Sequence, residues 1–257
     1  MSNSAHTRSR RKSLTPARKV ICDLLYFARR VPLCPIERHF DVAALSAARQ
    51  ATIPRIGWAA VFLKAYALAA TEWPQLRQAY LSWPWPHIYE HPHSVAMLAI
   101  NRQEAGEDQL FFGRFIEPEK QSLVDIQEAV DHYKHDPLET AFRKQLRFAK
   151  LPTLVRRGLW WWNLNVSGAS RARRLGTFGM STLAAYGALN RQHPSCLATS
   201  LTYGPLEANG RMLVTVLYDH RLVDGAPMGR MLQDLEAILN GQITAELRQL
   251  APHARAA

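Results

Sequence analysis

The stretch YDHRLVDGAPMGRMLQDLEAIL, residues 218–239, reads as the end of a strand, a turn and an amphipathic helix. The residues before it, RMLVTVLYD at 211–219, are rich in β-branched and apolar side chains and predict a strand that runs out at His220. After the turn, Met228, Met231, Leu232, Leu235, Ile238 and Leu239 fall on one stripe at helical spacing, which predicts a helix over 226–239 with Gly241 as its C-cap. A histidine just past a strand end can be held rigidly with its ring facing a cleft. Asp224, four residues on, can lock the turn by a salt bridge, and Gly225 permits the backbone to turn into the helix. On residue types alone, a His near an Asp is a structural pair more often than a catalytic one.

Outward from this motif, helical and extended segments alternate. Pro16 opens a helical stretch, and residues 31–42 look extended. Asp41 is placed to cap a helix over DVAALSAARQ, and residues 57–70 are a strongly apolar helix. Strands are expected at HIYEH (87–91), SVAMLAIN (94–101) and 110–116, then a helix over 123–148. Further extended runs lie at 177–182 and 197–203. Residues 152–170, with three consecutive tryptophans, have no clear assignment. Intermixed elements without internal repeats predict an α/β or α+β class. At about 150 residues per domain, the 257-residue chain reads as a flexible basic tail over 1–15 and a single domain over 16–257.

Composition narrows the function. A 47% hydrophobic and 21% charged composition excludes a disordered chain. Three scattered cysteines without a CxxC pair exclude a disulfide scaffold and a cysteine zinc site, and fit a reducing compartment. Residues 1–19 lack the apolar core of a secretory signal, and no run reaches the ~18 apolar residues of a membrane span. The expectation is a cytoplasmic protein. The net charge is +11, and residues 140–206 contain ten Lys and Arg and no acid. That block points to an anionic partner. Without a phosphate loop, zinc finger or RNA-binding aromatic signature, nucleic acid is not the expected one. His87, His91 and His93 straddle Pro92 without the one-face spacing of a zinc motif, so no metal is expected. Trp160, Trp161 and Trp162 read as core or interface, or as a membrane-surface anchor or a lid over a long apolar chain beside Arg156 and Arg157.

His220-x-x-x-Asp224-Gly225 with its flanks resembles the active-site signature of the catalytic domain of dihydrolipoyl acyltransferases, the core subunits of 2-oxoacid dehydrogenase complexes, which share the chloramphenicol acetyltransferase fold. The resemblance extends over most of the chain. TPARKVI, HFDVAAL and IGWAAVFLKAYALAATEWPQLRQAYL are similar to the family's first helix, early extended segment and buried helix. HIYEHPHSVAMLAIN is similar to its paired strands, and GTFGMSTLAAYG (176–187) to the segment that carries the oxyanion hydroxyl, here Ser181. Upstream stands a basic tail in place of lipoyl and subunit-binding domains, so the expectation is a standalone enzyme.

The resemblance implies a two-layer sandwich with a mixed sheet and flanking helices, assembled as a homotrimer with the active site between subunits. It implies transfer of an acyl group from a thioester, acyl-CoA or an acyl group on an acidic carrier protein, to a thiol, hydroxyl or amine. Neutral His220 would be the general base, an imidazole being well matched to neutral pH. Ser181 would donate a hydrogen bond to the oxyanion. Asp224 would hold the turn through an arginine, Arg18 or else Arg221. Coenzyme A enters as a thioester substrate, and Arg171, Arg173 and Arg174 are the candidates for its phosphates or for another anionic partner. Two competing expectations are a non-catalytic trimeric scaffold of the same fold and a basic protein that binds membrane surfaces.

Overall fold

The computed structural model describes residues 11–104 and 106–251. The larger part of the expected tail, residues 1–10, lies outside them. A six-stranded sheet organises the chain: β1 (Leu33–Asp41), β4 (Val95–Glu104), β5 (Glu107–Ile116), β6 (Phe178–Met180), β7 (Thr199–Tyr203) and β8 (Arg211–Asp219), in the order β1-β8-β7-β6-β4-β5. The β6 strand runs parallel to both β4 and β7, and the other pairs are antiparallel. The mixed α/β class expected from the alternation of elements is the one observed.

One face of the sheet carries the main core. It is covered by α2 (Ala43–Gln50), α3 (Trp58–Glu72), α4 (Leu123–His135), α9 (Gly225–Ile238) and α10 (Thr244–Leu250). The α3 helix is apolar nearly all round, with Phe62, Leu63 and Tyr66 fully buried, as a central helix must be. The α9 stripe seats Met228, Met231, Leu232 and Leu235 in the same core; burying each such side chain is worth roughly 1.5–3 kcal/mol. The other face is roofed by α1 (Pro16–Ala28), α5 (Leu138–Ala141), α6 (Arg143–Ala149), α7 (Thr153–Asn165) and α8 (Gly168–Leu175), with two smaller apolar clusters beneath them.

Several local expectations are corrected. Asp41 ends β1 and Val42 caps α2, although the Asp41 carboxylate still accepts from the Ala43 amide at 3.2 Å. HIYEHPHSVAMLAIN does not form two strands paired with each other. Instead β3 (His87–Glu90) pairs with β2 (Gln78–Leu81) in a separate two-stranded sheet, while β4 joins the large one. The Pro92 turn sends the two strands to different sheets. The helical run over 123–148 is broken at Pro137 and Phe142 into three helices, Pro137 lacking the amide that a continuous helix would use. Gly241 is not a C-cap: the chain passes through a π-turn (Leu239–Ile243) into α10. The apolar stripe continues past it in the buried Leu239, Ile243 and Leu247, and that burial outweighs the local stop signal.

Candidate active site

The strand–turn–helix motif is formed as expected. The β8 strand ends at Asp219, His220 follows, and Gly225 opens α9 with Asp224 at its N-cap. The His220 amide donates to the Pro32 carbonyl at 3.2 Å, which ties the turn to the loop before β1. The His220 ring is half-exposed, and its Nδ1 lies 3.4 Å from Asp224 Oδ1. That leaves Nε2 as the ring nitrogen available to a substrate. Gly225 is not left-handed. A Cβ there would meet the Tyr218 hydroxyl at an ordinary 3.4 Å, so neither rotation nor room demands glycine at this position, contrary to the expectation.

The turn is pinned differently from the expectation. Arg18 is exposed on α1, which packs on α6, α7 and β5 across the sheet from α9, and it makes no ion pair with Asp224. Arg221 also turns away from Asp224. Its Nε and Nη2 reach the two Asp219 oxygens at 2.9 and 2.6 Å, and its backbone amide donates to Oδ1 at 3.1 Å. Asp219 is fully buried, so this bidentate pair is the rigid element of the turn. The guanidinium stacks 4.4 Å above the Tyr80 ring. Sequence reasoning passed over Asp219, whose signal was the Asp-x-Arg spacing inside the same motif.

GTFGMS shapes a second locus. Gly176 sits at φ 92°, where a Cβ would strike Met97 and the Val95 carbonyl, so only glycine fits. The chain then runs through β6 to Ser181, whose amide donates to the Leu201 carbonyl at 3.1 Å. Ser181 lines a cavity of about 920 Å³ between the sheet and its roof. Two residues that sequence reasoning missed share that cavity: His193 Nε2 lies 2.6 Å from Ser200 Oγ. Gly179, opposite Ser200 in the parallel register, leaves space for that hydroxyl. Burial pulls His193 below the usual histidine range, so its ring is neutral at pH 7. The only sequence hint was a His beside Pro194 shortly before a strand.

Ser181 and His220 do not meet within one chain. Ser181 follows Met180, which is level with Leu201 on β7 and Val216 on β8. Because β8 runs opposite to β6, His220 lies about five residues further along and two strands across, roughly 19 Å away at standard strand spacings.

The basic candidates divide. Arg173 and Arg174 are exposed at the end of α8 and line the cavity. Arg171 is buried, and its Nη1 and Nη2 donate to the carbonyls of Tyr80 and Cys196 at 3.0 and 2.5 Å. Burial lowers its pKa to about 10. It braces β2 against the 196 loop and cannot meet a phosphate. Arg156 is also inside, its Nε 2.6 Å from the buried Asp23. Trp160 stacks on Phe27, while Trp161 and Trp162 are exposed. His87 and His91 engage the Trp85 carbonyl and the Tyr89 hydroxyl. No helix among the described residues is long and apolar enough to cross a membrane.

No family model matches the chain, and no curated protein matches it in sequence. Solved structures do. A probable dihydrolipoamide acetyltransferase from Listeria monocytogenes 4b F2365 aligns at 18% identity and TM-score 0.65 over 96% of this chain and 98% of its own. The dihydrolipoamide acetyltransferase of Azotobacter vinelandii aligns at 16% identity and TM-score 0.67, covering 95% and 96%. A truncated catalytic core of the 2-oxoacid dehydrogenase complex from Thermoplasma acidophilum aligns at 16% identity and TM-score 0.65, covering 91% and 99%. Over nearly its whole length, the chain has the fold of the catalytic cores of 2-oxoacid dehydrogenase acyltransferases.

Proposed function

We propose that the protein is an acyltransferase that moves an acyl group from a thioester, acyl-CoA or an acyl carrier protein, to a thiol, hydroxyl or amine. The observation that carries this reading is His220: fixed at the end of β8, its Nδ1 faces Asp224 and its Nε2 is open. In the reaction, Nε2 takes the proton of the acceptor as the acceptor attacks the thioester carbonyl. The charge that develops on the carbonyl oxygen meets the Ser181 hydroxyl. The thiolate of the carrier leaves and is protonated by the imidazolium. In the Azotobacter vinelandii enzyme, a serine, a histidine and an asparagine four positions after that histidine have been investigated for their role in the catalytic mechanism. The spacing of the last two equals that of His220 and Asp224, which supports the assignment.

The separation of His220 and Ser181 supports a site shared between two copies, and hence a closed homo-oligomer, a trimer in our reading. A non-catalytic scaffold would have no use for an open imidazole held by a buried Asp219–Arg221 pin. The test is His220→Ala assayed for thiol release from acyl-CoA with an acceptor thiol present. Turnover should fall by at least ~10²-fold with unchanged circular dichroism; a variant near the wild-type rate overturns the mechanism.

A further inference from the structure

The walls and rim of the cavity beside Ser181 have a chemistry of their own. Its apolar and aromatic lining comes from Phe112 on the sheet and from Leu24, Phe142, Phe148 and Trp160 on the roof. Around it stand five cations, Arg114, Arg143, Lys144, Arg173 and Arg174, and among the described residues none that lines it is a carboxylate. Among the described residues none of the five forms an ion pair; Arg114 and Arg143 donate to the backbone carbonyls of Arg173 and Glu139. Clustered like charges repel, and an anion placed among them relieves that repulsion. The volume, about 920 Å³, lies near the top of the ~300–1,000 Å³ range of small-molecule pockets and far exceeds what an acetyl group fills. The polar floor, with Ser181, His193 and Ser200, is where a carbonyl can sit.

We propose that this cavity takes a long-chain acyl group attached to an anionic head, with the chain along the aromatic lining and the head against the cations. In this inference, which rests on the acyl-transfer reading, the substrate is a long-chain acyl thioester and the anion is the phosphate of its carrier arm. A free fatty acid presents the same combination through its carboxylate.

Calorimetric titration of the purified full chain tests it, using acetyl-, hexanoyl-, decanoyl- and tetradecanoyl-CoA below their micelle concentrations, with palmitate and dodecyl maltoside alongside. Each buried methylene is expected to tighten binding up to about fourfold until the cavity is full. The double variant Arg173→Glu/Arg174→Glu, both exposed positions, should weaken every acyl-CoA at least tenfold and leave the dependence on chain length intact. Ala99→Trp, which fills the cavity from β4, should flatten that dependence; should it fail to fold, the wild-type series decides alone. Affinity independent of chain length, or dodecyl maltoside binding as tightly as the CoA thioesters, overturns the proposal. Palmitate binding as tightly as tetradecanoyl-CoA, with the same loss on charge reversal, keeps the chain-plus-anion site and assigns the anion to a carboxylate. Graded binding without any thioester turnover would sink acyl transfer and leave this cavity assignment standing. Turnover of acetyl-CoA without graded binding would do the reverse.

Discussion

The separation of the two catalytic candidates can be converted into a number. If His220 of one copy serves Ser181 of the next, neither His220→Ala nor Ser181→Ala supplies a complete site, and each alone should retain about 1% of turnover or less. Co-expressed at equal levels in a closed ring, the two variants mix at random. A given site is intact when its histidine comes from a Ser181→Ala chain and its serine from a His220→Ala chain. Each condition holds in half the cases, so about one quarter of sites are complete, whatever the ring size. Activity of the mixture should therefore return to about 25% of wild type, at least ten times either parent. The assay is thiol release on the whole population of assemblies, purified through one affinity tag carried by both variants. If both groups acted within one chain, the mixture would stay at the parental level. That result would refute the register argument, because a shared site within a chain requires closing roughly 19 Å of sheet.

Other consequences follow from the same geometry. The Asp224 side chain is 81% exposed with His220 as its contact, so Asp224→Asn should leave thermal melting within a few degrees and turnover within about tenfold, since an amide oxygen can still accept from the ring. A collapse of the melting temperature would show that Asp224 bears on the fold. Asp23→Ala leaves Arg156 buried without its counter-charge, a cost of about 3–5 kcal/mol that should lower the melting temperature by roughly 6–20 °C; an unchanged melt would mean the pair contributes nothing. Burial pushes the Cys196 thiol up to about 12, so in iodoacetamide labelling at pH 8 mapped by mass spectrometry, Cys22 and Cys34 should react while Cys196 stays protected until the chain is unfolded.

The motif at 218–239 was legible because its signals agree. β-branched residues end where a turn begins, and an apolar stripe then repeats at helical spacing. GTFGMS was legible through its resemblance to the family's oxyanion segment; of its two glycines only Gly176 holds a backbone, at φ 92°, that other residues avoid. Partner choice was not. That β3 leaves the large sheet to pair with β2 depends on where the Pro92 turn sends the chain, which no local pattern encodes. Arg18 and Arg171 fail for the complementary reason. A basic residue carries the same letter whether it faces solvent or props two buried carbonyls, and only the packing of α1 and α8 decides. Asp219 was hidden beside more familiar letters, and His193 and Ser200 lie seven residues apart and meet only because the loop before β7 folds back on the strand.

The two faces of the sheet differ in how firmly they are closed. One carries a single continuous core that runs from Phe40 through α3 to Leu247, while the roof rests on two small clusters around Trp160 and Phe142. A chain built this way has two layers of cooperativity: α5 to α8 can lift as a unit at a fraction of the free energy needed to unravel β7, β8 and α3. Amide protons of the roof should then exchange with solvent long before those of the central strands. A guest bound beneath the roof would slow the first population and leave the second untouched. The grip on a ligand is in that sense set by the weaker of the two faces.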